Sequence, residues 1–158
     1  MPYTAAVLTI SDATYQGKRQ DLSGPAVVEL LKKRNYDIVV TEIVPDEQPQ
    51  IETALLRACE QAQLVVTTGG TGIAARDVTP EATITVCDRL IEGIPEYIRA
   101  KSMEITPRAV LSRAACGTRN TSLILNLPGS PQGAVESLSF VIEIIPHALE
   151  LLQGNTNH

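Results

Sequence analysis

Short apolar runs alternate with amphipathic segments through the first half of the chain. The run from Ala5 to Ile10 predicts a first strand, and Ser23-Gly24-Pro25 carries the signals of a helix start. The β-branched run from Tyr36 to Val44 predicts a second strand, and Pro49 opens a segment whose apolar residues recur at helical spacing. Leu64 to Thr68 predicts a third strand. The predicted order is therefore strand, helix, strand, helix, strand.

Two more helices are predicted after the third strand. Thr79 is typical of an N-cap, with Pro80 in the first turn, and apolar residues follow at helical spacing as far as Leu90. Gly93 is the predicted end of this helix. A further helix is predicted from Pro95 to about Ile105.

The last part of the chain predicts one strand and more helix. Turn signals at Gly117 to Asn120 precede the apolar run from Ser122 to Leu127, which predicts a strand. Gln132 to Gln153 is helical in pattern but contains Pro146, so two consecutive helices or one broken helix are expected. Strands of this apolar kind, alternating with helices, indicate an α/β fold: a three-layer sandwich with a mainly parallel central sheet and helices on both faces.

Length, charge and cysteine spacing narrow the class of protein. The 158 residues predict a single domain over residues 1–158. Aromatic residues make up only 3% of the chain and its net charge is −5, which argues against a nucleic-acid partner. Because no signal-peptide or membrane-spanning pattern is present, a cytoplasmic protein without membrane contact is expected. Cys59, Cys87 and Cys116 form no metal or C-x-x-C motif, which fits free thiols in a reducing compartment.

A glycine-rich segment directly after the third predicted strand is the first candidate for chemistry. Gly69, Gly70 and Gly72 occupy three of four positions there. Glycine tolerates positive φ and lets main-chain N–H groups approach a ligand, which phosphate-binding loops require. A glycine-rich segment after a strand can also be only a turn, so this loop needs support from its surroundings.

Polar residues follow each of the other predicted parallel strands as well. Ser11 and Asp12 follow the first strand, Asp46 follows the second, Asp77 lies beyond the glycine loop, and the segment from Asn126 to Ser130 ends the last strand. Ligands of such sheets bind outside the carboxyl ends of the strands. These residues are therefore expected at one edge of the sheet.

Asp46 and Asp77 indicate the kind of chemistry. Two carboxylates beside a phosphate site would repel the substrate unless a divalent cation lies between them, and Mg²⁺ prefers one or two carboxylates with phosphate oxygens and waters. The glycines are followed by no Walker A lysine, and the chain contains no G-x-S-x-G or H-E-x-x-H motif. Its histidines are His147 and His158, which argues against histidine-based catalysis.

Each of these residues also has a purely structural explanation. Asp46 fits a loop or cap residue beside Pro49, and Asp12 fits an Asx turn. Arg76 fits a surface ion pair with Asp77. The segment from Pro128 to Pro131 fits a helix start with Ser130 as the N-cap, which would itself expose N–H donors.

The residues from Thr67 to Ala82 closely resemble the signature of the MogA/MoaB family of molybdopterin adenylyltransferases, which is related to the gephyrin G domain. The resemblance extends to Thr9–Asp12, Val44–Glu47, Leu111–Arg113 and Leu125–Pro131, in matching order over nearly the whole chain. It implies that the terminal phosphate of molybdopterin attacks the α-phosphate of Mg-ATP and releases pyrophosphate.

The resemblance also assigns residues, substrates and partners. It implies catalytic and magnesium-binding roles for Asp46 and Asp77, with ATP and molybdopterin as substrates. It implies a homo-oligomer, a trimer or a hexamer, and a downstream enzyme that inserts molybdate. Together with the strand-end argument it predicts substrate-binding roles for Ser11, Asp12, Thr68, Gly69, Gly70, Thr71, Gly72, Arg76, Asn126, Pro128, Gly129 and Ser130.

Two other functions compete with this one. A non-catalytic, MoaB-like paralogue that binds the pterin or serves in assembly would share the fold and the site. A nucleotide-dependent redox protein could use Gly70 to Ala75 as G-x-G-x-x-A. That fingerprint belongs to the first strand-to-helix turn, whereas here it follows the third strand, so the pattern favours adenylyl transfer.

Overall fold

Strands and helices alternate along the chain in the computed structural model, which describes residues 1–156. The strands are β1 (Thr4–Ile10), β2 (Asp37–Val44), β3 (Leu64–Thr68), β4 (Arg89–Leu90), β5 (Cys116–Arg119) and β6 (Ser122–Leu127). The helices are α1 (Asp12–Tyr15), α2 (Ser23–Lys33), α3 (Gln48–Gln61), α4 (Thr79–Val86), α5 (Gly93–Met103), α6 (Pro131–Val141) and α7 (Ile145–Leu152), with a 3-10 helix over Pro107–Leu111. No helix of this part of the chain has the length and apolar character needed to cross a membrane.

The six strands form one sheet in the order β2-β1-β3-β6-β5-β4. The first four of these are parallel, and β5 and β4 continue the sheet in antiparallel pairing. Ile10 lies beside Val44, and Thr68 lies beside both Thr9 and Leu127. The parallel strands therefore end at one common edge, as the sequence predicts.

Helices cover both faces of the sheet. Ala5 and Val7 of β1 pack into a cluster with residues of α2, α6 and α7, whereas Ala6 and Leu8 pack into a second cluster with α3 and α4. This alternation follows the period of two along a strand. All five residues of β3 are buried, because that strand is covered on both sides. The predicted three-layer α/β sandwich is confirmed.

The local prediction for Thr79 was wrong by one residue. Val78 occupies the N-cap position of α4, and Thr79 is the first helical residue. The Thr79 hydroxyl donates to the carbonyl oxygen of Gly69, 3.0 Å away, instead of capping its own helix. A tertiary contact with the glycine loop thus uses the side chain that the local pattern assigned to a cap.

The predicted helix from Thr79 to Gly93 was too long. It ends at Val86, Leu90 lies in β4, and Gly93 begins α5. Asp88 and Ile91 donate their N–H groups to the carbonyls of Thr118 and Cys116, at 2.7 and 2.8 Å. Pairing with β5 therefore overrides the helical spacing of the apolar residues.

Two other predictions concern the last part of the chain. The turn predicted over Gly117–Asn120 was largely wrong, because Cys116–Arg119 forms β5 and the reversal begins at Asn120, whose φ is 52°. The break predicted at Pro146 is confirmed: α6 ends at Val141, and Pro146 lies in the first turn of α7.

The three thiols are packing groups. Cys116 is buried, while Cys59 and Cys87 are half-buried against the cluster beneath α3 and α4. Burial raises the pKa of Cys59 and of Cys87 to about 11, and that of Cys116 to about 12. The thiols are therefore protonated at neutral pH, which makes them poor nucleophiles.

Candidate active site

A cavity of about 570 Å³ lies at the edge where the parallel strands end. Asp46, Asp77 and the start of α6 meet around it. The predicted site residues that line it are Ser11, Asp46, Thr68, Gly69, Gly70, Asp77, Gly129 and Ser130. A groove of about 650 Å³ between α2 and β2 is larger, but none of the predicted site residues lines it. The predicted site residues therefore gather at the smaller of these two spaces.

The glycine loop has the backbone geometry of an anion-binding turn. Gly69 and Gly70 have φ values of 92° and 69°. A Cβ on Gly69 would collide with the carbonyl oxygen of Ile10, and one on Gly70 with the hydroxyl of Thr79, so both positions require glycine. The Gly69 N–H donates to the carbonyl of Leu127, 3.0 Å away.

The next three N–H groups of this loop remain for a ligand. Among residues 1–156, the N–H groups of Gly70, Thr71 and Gly72 have no hydrogen-bond acceptor. Successive free N–H groups at a turn with positive φ form a concave anion site. Among these three residues Gly70 lines the cavity, so its N–H group is the candidate donor there.

Asp46 is held by a reciprocal pair of hydrogen bonds with Asp12. The Asp12 N–H donates to Asp46 Oδ2 at 2.8 Å, and the Asp46 N–H donates to Asp12 Oδ1 at 2.9 Å. These bonds join the ends of β1 and β2. Asp46 therefore does not cap α3, and its carboxylate is oriented by the first N–H group of α1, directly after the end of β1.

The surroundings of Asp46 are poor in solvent and rich in negative charge. Burial raises the pKa of the Asp46 carboxyl above its usual value, and the charges of Asp12 and Asp77 raise it further. The Asp12 N–H and Arg76 oppose this effect. A half-buried carboxylate with two acidic neighbours is the arrangement that a bound cation would relieve.

Arg76 bridges two acidic residues that follow the ends of β1 and β2. Its Nε donates to Asp12 Oδ2 at 2.6 Å, and a terminal nitrogen donates to Glu47 Oε1 at 2.8 Å. The surface pair with Asp77 was a wrong prediction, because these two partners lie on other strand ends. The hydrogen bond from Arg76 lowers the pKa of Asp12, and the same contacts raise the pKa of Arg76.

Asp77 closes a small turn within the segment that follows the glycines. Its Oδ2 accepts from the Ala74 N–H at 3.0 Å, and its own N–H donates to the Ala74 carbonyl at 2.9 Å. A Cβ on Gly72 would lie 2.9 Å from Asp77 Oδ2, so the third glycine gives this carboxylate its room. Asp77 thus reaches the cavity from a loop, whereas Asp46 reaches it from a strand end.

The start of α6 forms the opposite wall. Ser130 is the N-cap, and its hydroxyl accepts from the Gly133 N–H at 3.1 Å, with Pro131 in the first turn. The predicted helix start at this segment is confirmed. A helix N-terminus carries partial positive charge and is suited to an anion. A Cβ on Gly129 would lie 3.3 Å from Gly69 Cα, so the two loops touch.

A second cavity of about 300 Å³ adjoins the first at Ser130. The predicted residues Gly72, Asn126 and Pro128 line it, together with side chains of α5 and of the 3-10 helix. Asn126 is buried in β6, where its amide nitrogen donates to Thr67 and Thr83 and its oxygen accepts from the Ala115 N–H. Its hydrogen-bonding capacity is thus largely used inside the protein.

Three predicted residues lie outside both cavity walls. Asp12 and Arg76 act on Asp46, as described above, and Thr71 is buried with its carbonyl accepting from the Arg113 N–H at 2.8 Å. His147 lies exposed on α7 and lines neither cavity. His158 lies outside the described residues.

Other cavity residues were missed by the sequence reasoning. Arg19 and Asp21 line the cavity of about 570 Å³ from the segment before α2. Asp21 accepts from the Thr9 hydroxyl and from the Gly24 N–H, at 2.9 and 3.0 Å. An aspartate three residues before a glycine at a helix start is a recognisable cap pattern, so Asp21 could have been found. Nothing in the local sequence around Arg19 marks it.

Both the sequence and the fold resemble known proteins. The family model for a probable molybdopterin binding domain matches residues 6–147. Molybdopterin adenylyltransferase from Helicobacter pylori is 45% identical, over 94% of this chain and 87% of its own length. Gephyrin from Dictyostelium discoideum is 38% identical over 96% of this chain, which corresponds to 23% of gephyrin.

A solved structure extends the likeness to three dimensions. The molybdopterin biosynthesis enzyme MoaB from Thermus thermophilus superimposes with a TM-score of 0.90 at 44% identity. The match covers 96% of this chain and 97% of that one. The similarity therefore extends over almost the whole chain.

Proposed function

Because this chain belongs to the family of probable molybdopterin binding domains, we propose that it transfers AMP from ATP to molybdopterin. The chain is a molybdopterin adenylyltransferase of molybdenum cofactor biosynthesis, and thus a nucleotidyltransferase. In this reaction an oxygen of the terminal phosphate of molybdopterin bonds to the α-phosphorus of ATP. The bond from that phosphorus to the β-phosphate oxygen breaks, and pyrophosphate leaves.

The observation that carries the proposal is the meeting of an anion-binding turn with two carboxylates in one cavity. Gly70, whose N–H group is free, and the N-terminus of α6 line the same space as Asp46 and Asp77. The adjoining smaller cavity gives a second substrate its own space. Two anionic substrates can thus be held side by side, and orientation of this kind contributes roughly 7–11 kcal/mol to catalysis.

The residues present fit Mg²⁺ as a partner of the nucleotide. Among residues 1–156 no cluster of three or more metal-binding side chains exists. Mg²⁺ bound with phosphates needs only one or two carboxylates, and the raised pKa of Asp46 beside two acidic neighbours marks a position that a cation would stabilise. Asp46 and Asp77 would hold the ion, which would neutralise charge on the leaving pyrophosphate.

The chain's own groups supply the remaining steps. The N–H group of Gly70 would bind a phosphate oxygen in the cavity that holds Asp46 and Asp77, the N–H group of Gly72 would serve the adjoining cavity, and the N-cap turn at Ser130 would bind a second anionic group. Thr68, whose hydroxyl lies 2.8 Å from that of Ser23, fixes the strand end below the loop. Direct attack of one substrate on the other needs no covalent intermediate on the protein.

The test is pyrophosphate release from ATP and Mg²⁺ with purified molybdopterin. We expect release that depends on molybdopterin, and a loss of about 10²–10³-fold in kcat for Asp77→Asn, the scale of losing one preorganised electrostatic group. Asp37→Asn, at the far end of β2, is the matched control and should leave the rate unchanged. Binding of molybdopterin without any release would identify a non-catalytic paralogue instead.

Assembly and location are further parts of the proposal. The family resemblance supports a homo-oligomer, a trimer or a hexamer, with a molybdate-inserting enzyme as the downstream partner. The cytoplasm is the compartment that the cysteine pattern supports. Light scattering on the purified chain measures the subunit count, and a mass that corresponds to one chain would contradict the first of these predictions.

A further inference from the structure

Arg113 holds the loop that carries Asp77. It lies between the 3-10 helix and β5, and its side chain is 38% exposed. Its Nε donates to the carbonyl of Gly72 at 2.8 Å, and a terminal nitrogen donates to the carbonyl of Asp77 at 2.7 Å. One guanidinium therefore joins the first and last residues of the segment 72–77.

The same residue makes two further contacts. Its terminal nitrogens donate to Glu81 in the first turn of α4, at 2.6 and 3.2 Å, and its backbone N–H donates to the carbonyl of Thr71 at 2.8 Å. Glu81 orients the guanidinium from one side while the loop carbonyls accept on the other. Arginine suits this task because its planar fork offers five donors in fixed directions.

Little else anchors the segment. Ile73, Ala74, Ala75 and Arg76 are all exposed, so no apolar packing fixes them. The Arg76 side chain ties the exposed side of the segment to Asp12 and Glu47. The hydrogen bond between Ala74 and Asp77 lies within the segment and does not anchor it to the rest of the protein. The base of the loop depends on Arg113.

Arg113 is not arranged to bind a substrate itself. Each of its guanidinium nitrogens donates to a protein oxygen, and it lines neither cavity, although its neighbours Ser112 and Ala114 line the smaller one. A cation already saturated by protein acceptors is a poor phosphate ligand. Its contribution must act through the loop that it holds.

We propose that Arg113 is a positioning residue for adenylyl transfer, which fixes the 72–77 loop through the Gly72 and Asp77 carbonyls so that the Asp77 carboxylate faces Asp46. This inference rests on the proposed function for its catalytic part only. A displacement of about 1 Å in a reacting geometry can cost 10²-fold in rate, which sets the scale expected for Arg113→Ala.

A double-mutant cycle with Asp77 gives the kinetic test. Arg113→Ala should lower kcat by about 10²-fold in the native protein, and should lower it little further in the Asp77→Asn protein. The matched control is Arg119→Ala, because Arg119 has the same 38% side-chain exposure and also pairs with a carboxylate and a carbonyl, but far from the loop. Equal losses in both backgrounds would show that Arg113 does not act through Asp77.

Arg113→Lys separates geometry from charge. A lysine keeps the cation beside Glu81 but cannot reach both carbonyls with a fixed fork, so we expect most of the activity lost by the alanine variant to be lost here too. Full activity in Arg113→Lys would overturn the proposal, because charge alone would then suffice.

Hydrogen–deuterium exchange tests the clamp without any reliance on activity. The peptide that covers residues 72–78 should exchange faster in Arg113→Ala than in the native protein or in Arg119→Ala, while the peptide over β3 stays protected. Unchanged exchange over 72–78 would overturn the inference. If the native protein released no pyrophosphate, the proposed function would fail, and this measurement would still decide whether Arg113 holds the loop.

Discussion

At the residue scale, two carboxylates line the cavity of about 570 Å³, and they are held in different ways. Asp46 is fixed by the backbone of Asp12, whereas Asp77 lies on a loop that side chains tie down. The Asp46 carboxylate is tied to a separate strand end, whereas the Asp77 carboxylate is tied only to its own loop. This difference makes Asp46 the better candidate for the primary metal contact.

Asp46→Asn should weaken the response of the enzyme to magnesium. The amide oxygen can still accept from the Asp12 N–H, so the strand ends stay joined, but the charge that attracts the cation is lost. We expect the half-saturating Mg²⁺ concentration for pyrophosphate release to rise about tenfold or more. A magnesium titration that overlays that of the Asp37→Asn control would remove Asp46 from the ligand set.

Tyr36 gives a prediction about stability and pH. It is 7% exposed, and its hydroxyl is the one buried side-chain polar atom of residues 1–156 without a hydrogen-bond partner. Burial raises the pKa of Tyr36 to about 12, from 10. Because the folded state favours the neutral form, the titration of Tyr36 costs no stability below pH 10, and the free energy of unfolding falls as the pH rises from 10 through 12.

Tyr36→Phe should therefore flatten the alkaline limb of the stability curve. At pH 7 the variant should be no less stable than the native protein, because burying an unpaired hydroxyl costs about 1–3 kcal/mol. Urea unfolding at pH 7, 10 and 11.5 measures this, with Tyr97→Phe, an exposed tyrosine, as control. Parallel pH curves for Tyr36→Phe and the native protein would contradict the assignment.

At the scale of elements, the site is built from the ends of strands and the starts of helices. The glycine loop after β3 is held from below by Thr79 and from the side by Gly129, while α6 begins at the opposite wall. The helices α3 and α6 both have proline in the first turn, which suits that position because its missing N–H would have no partner there.

Ser130→Ala tests the start of α6. Removing the hydroxyl leaves the Gly133 N–H without its acceptor, and loss of an N-cap costs about 1 kcal/mol. Chemical unfolding should report this loss. Ser139→Ala is the control on the same helix, since its hydroxyl only donates back to the Val135 carbonyl and should matter less. Equal stabilities of the two variants would show that Ser130 is not an effective cap.

The whole molecule links both core clusters to the site. The cluster under α2, α6 and α7 and the cluster under α3 and α4 share the central strands, and these strands end at the cavity. A ligand that bridges the strand ends therefore binds the folded state and has no such site in the unfolded chain. Binding should stabilise the protein as a unit.

Mg-ATP should raise the melting temperature. At one hundred times its dissociation constant a ligand adds about 2.7 kcal/mol, and for a protein of this size each kcal/mol corresponds to about 2–4 °C. We therefore expect a rise of roughly 5–10 °C by calorimetry, most of which is lost when EDTA removes the magnesium. A rise that EDTA leaves unaltered would separate ATP binding from the metal.

The elements with strong local signals followed from the sequence alone. The strands Leu64–Thr68 and Ser122–Leu127 have the predicted bounds, because each is a mainly apolar run that is followed directly by glycine or proline. The gathering of glycines and carboxylates at one edge was also predictable, since parallel strands end together. The glycine loop was also recognisable from the sequence, because Gly69 and Gly70 adopt positive φ angles that favour glycine.

Only the tertiary structure decided the rest. The strand β4 is short and exposed, and it exists through pairing with residues of β5 that lie 27 to 29 positions further along the chain, which overrode the helical spacing up to Leu90. The partners of Asp12, Arg76 and Arg113 lie 29 to 64 residues away along the chain. Local pattern carries no information on such contacts, because they form only when the folded sheet brings separate strand ends and loops together.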